Sequence, residues 1–171
     1  MRAREDALIA IRPIIPSDKE PIRNILIETK VFTEDEVNVA IELIDIALTN
    51  DRQEDYYIYS AVDENKSVGG YYCLGPTPMT SGTYDLYWIA VSPRAQHHGI
   101  GKKLLVHAEE EAGRRGGRLI IAETSSLPKY DKTRTFYLHN AYSELARIRD
   151  YYRIGDDLVV YGKYVSQQDA T

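Results

Sequence analysis

Tyr84-Asp-Leu-Tyr-Trp-Ile-Ala-Val91 is the segment from which the architecture of this chain can be worked out, together with Ser92-Pro-Arg-Ala-Gln-His-His-Gly-Ile-Gly-Lys-Lys-Leu104, which follows it. The first part predicts a β-strand, and the second predicts a tight glycine-rich loop that leads into a helix. The N-terminus of a helix presents N–H groups without intrahelical partners and carries a partial positive charge. Glycines in the loop let a phosphate approach the backbone closely. The segment therefore predicts a site for a phosphorylated cofactor.

Two common phosphate-binding motifs do not fit this loop. The dinucleotide motif G-x-G-x-x-G needs glycine where the chain has Leu104, and a P-loop needs Ser or Thr where the chain has Lys103. What remains is Gln96-x-x-Gly99-x-Gly101 between a strand and an amphipathic helix. This pattern resembles the pyrophosphate loop of the GNAT superfamily, the N-acetyltransferases that use acetyl-coenzyme A. The resemblance implies acetyl-CoA as the co-substrate.

Composition is that of one ordinary globular domain. The chain has 171 residues, 43% of them hydrophobic and 27% charged, and we expect a single domain over 1–171 with its core at about 8–165. No apolar run approaches the roughly 18 residues that span a bilayer. A net charge of −5 disfavours nucleic acid as a partner. The one cysteine, Cys73, favours a core position and a cytoplasmic location, and the N-terminus does not resemble a secretion signal.

Hydrophobic periodicity predicts the element order β-α-α-β-β-β-α-β-α-β-β. Ser17-x-x-Glu20 and Thr33-x-x-Glu36 are predicted capping boxes that begin the first two helices. The acids Glu109-Glu-Glu111 on the third helix are expected to face solvent. Strand–helix–strand around the glycine loop requires a right-handed parallel crossover.

This order matches the GNAT fold along nearly the whole chain. The predicted class is α/β, or α+β in some schemes. We expect a mixed central sheet of about six or seven strands, flanked by about four helices. In GNAT proteins the parallel strands 4 and 5 splay apart, and the resemblance implies the same splay here.

The resemblance also implies which residues hold the coenzyme. Backbone N–H groups of the loop would bind the pyrophosphate, and the backbone of the preceding strand would bind the pantetheine arm and the acetyl carbonyl. A metal role is not expected for the adjacent histidines, whose side chains do not converge. The cofactor-binding residues predicted in this way are Ile89, Val91, Gln96, His97, His98, Gly99, Ile100, Gly101 and Lys102.

Two residues are predicted to carry the chemistry. Thr133-x-x-x-Tyr137-x-x-x-Ala141-Tyr142 resembles the GNAT signature A-x-x-x-Y-x-x-x-G-[FY], which implies Tyr137 as the acid that protonates the coenzyme thiolate. Alanine at 141 and threonine at 133 depart from that signature. Glu123 ends an apolar strand and is the predicted general base. It could instead cap the next turn or pair with Arg134.

The predicted reaction is direct acetyl transfer from acetyl-CoA to a primary amine in a ternary complex. Asp85 and Tyr87 are predicted to hold the acceptor amine or a relay water, or else to be cross-strand pairs. A non-catalytic acyl-CoA-binding regulatory module is the alternative, and an enzyme that uses NAD or ATP is a third interpretation. The acceptor is expected to be an amine-bearing small molecule or a peptide, with neither nucleic acid nor membrane as a partner. The sequence does not decide whether the chain forms a homodimer.

Overall fold

A computed structural model of the protein describes residues 8–95 and 99–165. These residues form seven strands and four α-helices in the predicted order. The elements are β1 (Ala10–Pro13), α1 (Lys19–Glu28), α2 (Glu34–Thr49), β2 (Tyr57–Val62), β3 (Val68–Pro76), β4 (Thr83–Val91), α3 (Ile100–Arg114), β5 (Leu119–Ser125), α4 (Asp131–His139), β6 (Ser143–Arg153) and β7 (Asp156–Tyr164). None of the described helices is both long and apolar enough to span a membrane.

The strands form one mixed sheet, as predicted. Its order is β1-β2-β3-β4-β5-β7-β6, with β4 and β5 parallel and joined by α3. The register runs from Thr83 opposite Leu119 to Asp85 opposite Ile121, which are the first three residues of each strand. β4 then continues to Val91 and β5 to Ser125 beyond the residues paired in register. The pairing is therefore confined to one end of the two strands, which agrees with the predicted splay.

The described residues group into two compact units. The first comprises the described residues of 8–73 and 88–107, and the second comprises those of 74–87 and 108–165. In the first unit, apolar faces of α1 and α2 form a core with β2, β3 and the end of β4. Phe32 contacts Trp88 edge to face at 5.2 Å between ring centroids. The buried members of this core include Ile22, Leu26, Ile44, Tyr71, Cys73 and Ala90.

The two predicted capping boxes have different outcomes. At the start of α2, the Thr33 N–H donates to Glu36 at 2.7 Å and the Glu36 N–H donates to Thr33 at 3.3 Å, so this prediction is confirmed. The prediction for Ser17 is wrong. α1 begins at Lys19 after a 3₁₀ turn over Pro16–Asp18, because Asp18 is the carboxylate that accepts from the Ile15 N–H, at 3.1 Å.

Asp18 ties β1 to the start of α1 and to β2. Its side chain is 3% exposed and accepts from Arg12 at 2.6 and 2.9 Å and from the Ser60 hydroxyl at 2.9 Å. Burial alone would raise the pKa of Asp18. The hydrogen bonds from Arg12, Ile15 and Ser60 and the Arg12 charge outweigh it and lower that pKa. The carboxylate is therefore ionised and fully engaged.

In the second unit, β7 pairs with both β5 and β6, and α4 contributes aromatic packing. Tyr137 stacks on Tyr161 at 5.7 Å and lies 5.4 Å from Tyr142 between ring centroids. The expectation that the acids 109–111 face solvent is wrong for Glu111, which is 6% exposed. Its carboxylate is buried because Arg114 and Arg115 bind it at 2.5 and 2.6 Å.

The end of α4 explains a departure from the family signature. Ala141 adopts φ 64°, while the Ala141 N–H donates to Leu138 and the Tyr142 N–H donates to Tyr137. These two bonds form a Schellman cap, whose residue after the C-cap occupies the left-handed region that favours glycine. The backbone here therefore has the conformation of the glycine in the signature, although the residue is alanine.

Candidate active site

The predicted cofactor loop follows β4 in the first unit. The Ser92 N–H donates to Gly69 at 2.8 Å, and the Ala95 N–H donates to Ser92 at 2.9 Å, which turns the chain sharply after Val91. Gln96, His97 and His98 lie outside the described residues, and their roles stay predictions. The next described residue is Gly99, and its carbonyl accepts from the Lys103 N–H at 3.0 Å in the first turn of α3.

The conformation of Gly99 fits a residue that borders a bound phosphate. Its φ is 70°, a region that residues with a side chain rarely adopt, and a Cβ placed there would meet no described atom within 4 Å. Packing among the described residues therefore does not explain the glycine. The N–H groups of Ile100, Gly101 and Lys102 belong to the first turn of α3 and have no partner within the helix. Backbone donors and free space thus occur together, as a diphosphate requires.

Two glycines on β3 let α3 lie close to the sheet, and sequence analysis did not identify their role. A Cβ on Gly70 would lie 2.8 Å from the Ala90 carbonyl oxygen, and one on Gly69 would lie 3.1 Å from the Ile100 side chain. Ile100 is 3% exposed. Its side chain therefore holds the start of α3 in place, while only its backbone is free for a ligand. Two adjacent glycines within a predicted strand indicate that another backbone approaches the strand closely, and this pattern could have predicted the contact.

Ile89 and Val91 are half-buried at the end of β4. Their predicted contribution is backbone hydrogen bonding to the pantetheine arm and the acetyl carbonyl, and that role stays a prediction.

Three of the predicted residues come together in the second unit. Because Asp85 is in register with Ile121, Tyr87 and Glu123 lie one pleat further along on the same face of the sheet. Asp85 is half-buried, whereas Tyr87 and Glu123 are exposed. Partial burial of its carboxyl group and the negative charge of Asp85 raise the pKa of Glu123. A carboxylate with a raised pKa is a stronger base than an ordinary one.

Arg134 does not pair with Glu123, so that alternative for the glutamate is not realised. The guanidinium donates instead to the carbonyl oxygens of Ser125, at 2.5 Å, and Leu127, at 3.1 Å, and it pairs with Asp131. Arg134 thereby fixes the turn after β5. Glu123 itself is exposed and forms no ion pair with another described residue.

Asp85 is held by a residue that sequence analysis did not identify. Thr77, in the connection between β3 and β4, donates its hydroxyl to Asp85 Oδ2 at 2.6 Å. Burial raises the pKa of Asp85, and hydrogen bonds from Thr77 and Tyr87 oppose that rise. A polar residue in a loop gives no periodic signal, so no sequence pattern pointed to this contact.

Tyr137 is 4% exposed, and burial raises the pKa of its hydroxyl well above the ordinary value. No hydrogen bond joins this hydroxyl to another of the described residues. The phenol therefore stays protonated at neutral pH. A protonated phenol can donate to an anion but cannot act as a base.

Two other residues with reactive side chains, Cys73 and His107, are packed against neighbouring side chains in the first unit. Cys73 is 1% exposed and burial raises its thiol pKa, so the expected core position is confirmed. The ring of His107 lies 4.8 Å from that of Tyr59, and its Nδ1 is 2.8 Å from the Tyr72 hydroxyl. Within 8–95 and 99–165, no three His, Cys, Asp or Glu residues are grouped as a metal site would require.

Comparison with known proteins places this geometry in a family. Residues 19–139 match the model of the acetyltransferase (GNAT) family. A solved protein from Desulfovibrio desulfuricans, assigned to the GNAT family of acetyltransferases, is 41% identical with a TM-score of 0.86, over 93% of this chain and 100% of that one. No curated protein matches the sequence.

More distant structures share the fold. The ribosomal-protein-S18-alanine N-acetyltransferase from Escherichia coli is 17% identical with a TM-score of 0.73, over 96% of this chain and 98% of that one. An aminoglycoside 6'-N-acetyltransferase complexed with coenzyme A is 16% identical with a TM-score of 0.72, over 92% of this chain and 97% of that one. The family model and the relative from Desulfovibrio, together with the mixed sheet and its parallel β4 and β5, show that this chain belongs to the GNAT family of acetyltransferases.

Proposed function

We propose that this enzyme transfers the acetyl group of acetyl-CoA to a primary amine, directly and within a ternary complex. The observation that carries the proposal is Glu123, an exposed carboxylate on a strand face whose pKa is raised and which forms no ion pair with Arg134. Such a group is suited to take a proton from an acceptor. Cys73 is buried and its thiol pKa is raised, which argues against an acyl-cysteine intermediate.

Acetyl-CoA is proposed to bind along the end of β4 and the start of α3. Backbone N–H groups of residues 96–102 would receive the pyrophosphate, and those of Ile89 and Val91 would align the pantetheine arm. The free space beside Gly99 supports this assignment. The bound thioester supplies the activated acetyl group. The Val91 N–H is the proposed donor to the negative charge that develops on the acetyl oxygen.

The acceptor must lose a proton before it can attack. An ammonium with a pKa near 10.4 is neutral in roughly one molecule in a thousand at pH 7. Glu123 is proposed to accept that proton, with Asp85 and Tyr87 holding the amine or a relay water. Two carboxyl groups on one face favour an acceptor that arrives as a cation.

Tyr137 is proposed to stabilise the departing thiolate. An ordinary phenol has a pKa of about 10 and an ordinary thiol about 8.5, so complete proton transfer from phenol to thiolate is uphill. Burial raises the pKa of Tyr137 further, which makes a strong hydrogen bond to the thiolate the first contribution. Protonation completes as the thiolate itself loses water contacts.

An activity assay can identify the chemical class of the acceptor amine. The similar folds include one enzyme named for a protein N-terminal alanine and one named for aminoglycosides. A panel of polyamines, aminoglycosides and peptides with free N-termini therefore spans the relevant amines.

We further propose that the enzyme acts in the cytoplasm. Size-exclusion chromatography would decide whether it is a homodimer.

The test combines calorimetry with coenzyme A and a thiol-release assay over this panel. Heat of coenzyme binding together with thiol release that depends on one amine class supports the proposal. Binding without turnover on any amine would favour the regulatory-module alternative. Tighter binding of NAD or ATP than of coenzyme A would contradict both.

A further inference from the structure

The connection between β3 and β4 holds Thr77 in a defined position in the second unit. The Thr77 N–H donates to the Thr83 carbonyl at 2.9 Å, and the Thr77 carbonyl accepts from the Thr80 hydroxyl at 2.7 Å. At the end of the connection, Gly82 adopts φ 79°, and its carbonyl accepts from the Arg118 N–H at 2.7 Å. The loop is thus anchored at both ends. The Thr77 hydroxyl is left to donate to Asp85.

Asp85 and Glu123 form an unequal pair. They lie on the same face of neighbouring parallel strands, and the charge of Asp85 reaches Glu123. Asp85 receives hydrogen bonds from Thr77 and Tyr87, which favour its ionised form and oppose the effect of its burial. For Glu123, burial and the charge of Asp85 both raise the pKa, and among the described residues no hydrogen-bond donor opposes them. The hydrogen bonds are therefore what distinguishes the two carboxyl groups.

We propose that Thr77 is a positioning residue that acts through Asp85 and directs the acceptor's proton to Glu123. With Thr77 in place, Asp85 ionises first and stays ionised, so Glu123 is the carboxylate with the greater affinity for a proton. The proton first leaves the acceptor ammonium for a Glu123 oxygen, and the freed nitrogen lone pair then forms the bond to the acetyl carbon. The carbon–sulfur bond breaks, the coenzyme leaves as a thiolate that takes the Tyr137 proton, and the remaining excess proton on the nitrogen returns to the Tyr137 oxygen. This inference rests on the proposed function of Glu123 as the base.

Other charged groups of the second unit do not replace Thr77 in this role. Glu123 is opposite Val160 on β7, an uncharged residue. Lys163, further along β7, binds Glu109 at 2.8 Å. Arg134 of α4 is engaged with Ser125 and Asp131. Tyr87 is the second donor to Asp85 and should keep part of the asymmetry when Thr77 is changed.

The test compares Thr77→Val with Thr77→Ser on the active enzyme. The valine keeps the shape but has no hydroxyl, so Asp85 should hold its proton to higher pH and Glu123 should ionise beside a neutral neighbour. Loss of a hydrogen bond to a charged group should raise the pKa of Asp85 by about one unit. The acidic limb of the kcat/KM profile, which reports Glu123, should then move to lower pH, by as much as the neutral form of Asp85 removes its charge from beside Glu123. The KM for acetyl-CoA should stay the same, and serine should restore the parent profile.

Two further variants separate positioning from a general structural effect. Thr80→Val removes another hydroxyl of the connection, which bonds to the Thr77 carbonyl and not to Asp85, and it should leave the acidic limb unchanged. Combining Thr77→Val with Asp85→Asn should give the profile of Asp85→Asn alone, because Thr77 acts only through Asp85. Additive effects in the double variant, or equal profiles for Thr77→Val and Thr77→Ser, would overturn the proposal.

A measurement without turnover distinguishes this inference from the proposed function. Carboxyl-carbon NMR titration of Glu123 should show a lower midpoint for Thr77→Val than for Thr77→Ser, whether or not any amine is acetylated. If the midpoint moves but every variant lacks activity, the coupling stands and the proposed function fails. If the midpoint does not move while the parent enzyme is active, the proposed function stands and the role of Thr77 is wrong.

Discussion

At the scale of single residues, the proposed acid can be tested by removing one oxygen atom. Tyr137→Phe should lower kcat by about a hundredfold or more, the usual contribution of a positioned acid, with little change in coenzyme affinity. The ring would keep its stacking on Tyr161. Tyr142→Phe is the matched control, since it removes a buried hydroxyl from the same aromatic cluster and should leave kcat unchanged. Equal activity of the Tyr137 variant and the parent, in thiol release with the best acceptor, would remove the acid role.

The second residue-scale prediction concerns Glu123 and pH. As a base, Glu123 must be ionised, so activity should rise as pH passes upward through its raised pKa, and Glu123→Gln should abolish this acidic limb. The stability effect has the opposite sign. A carboxyl whose folded pKa is raised binds a proton more tightly when folded, so its ionised form lowers stability at neutral pH. The glutamine variant should therefore unfold at the same or a higher urea concentration than the parent, and a clear loss of stability would contradict this account.

At the residue scale, the strand pattern correctly predicted that Asp85 and Tyr87 lie on the strand that ends at Val91 and that Glu123 lies on the next parallel strand. The roles of these three residues in the site stay predictions. Thr77 could not be found in this way, because its contact depends on the path of a loop and not on a period. Glu111 was assigned wrongly because three successive acids were interpreted as one solvated face, whereas Arg114 and Arg115 at the end of α3 bind the Glu111 carboxylate and cover it.

At the scale of elements, the cap of α4 gives a prediction that adds stability. Ala141 bears the strain of a left-handed conformation at φ 64°, and glycine would not. Ala141→Gly should raise the free energy of unfolding by about 0.5–1 kcal/mol, the net of that relief and the greater entropy of the unfolded glycine chain. Urea unfolding measures this, with Ala146→Gly in β6 as a control that should not stabilise. A loss of stability in Ala141→Gly would show that the strain has been misjudged.

Element boundaries were predictable where the chain itself supplies the end signal. Thr33 and Glu36 bond to each other at the start of α2, as their spacing indicates. Ser17 and Glu20 have the same spacing but do not form this box. Asp18 lies between them, and its carboxylate binds the side chains of Arg12 and Ser60. A capping pattern is thus decisive only when no tertiary partner competes for the same backbone.

At the scale of the whole molecule, Asp18 links acid stability to the fold of the first unit. Its folded pKa is below the unfolded value, so it contributes stability above about pH 4 and loses it as pH falls through the folded pKa. Asp18→Asn should cost about 1–3 kcal/mol at pH 7, since Arg12 and the buried Ser60 lose a charged acceptor. The difference from the parent should vanish at acid pH.

The control for Asp18 is an ion pair at the surface. Lys19 and Asp45 are 2.6 Å apart with side chains 31% and 49% exposed, so Asp45→Asn should change stability by less than about 1 kcal/mol. Unfolding curves for both variants should be measured from neutral pH down to well below the ordinary aspartate pKa of about 3.9, because the folded pKa of Asp18 is lower still. A cost for Asp18→Asn that does not depend on pH would show that packing, and not charge, explains it.

The way the chain passes between its two compact units has a consequence for biosynthesis. The first unit combines described residues of 8–73 with described residues of 88–107, and its core includes Ala90, with Trp88 packed against it. A ribosome therefore cannot release a finished amino-terminal half after residue 73. The intervening residues 74–87, which belong to the other unit, must emerge before that hydrophobic centre receives its last pieces. Nascent chains arrested before Ala90 should consequently remain sensitive to protease.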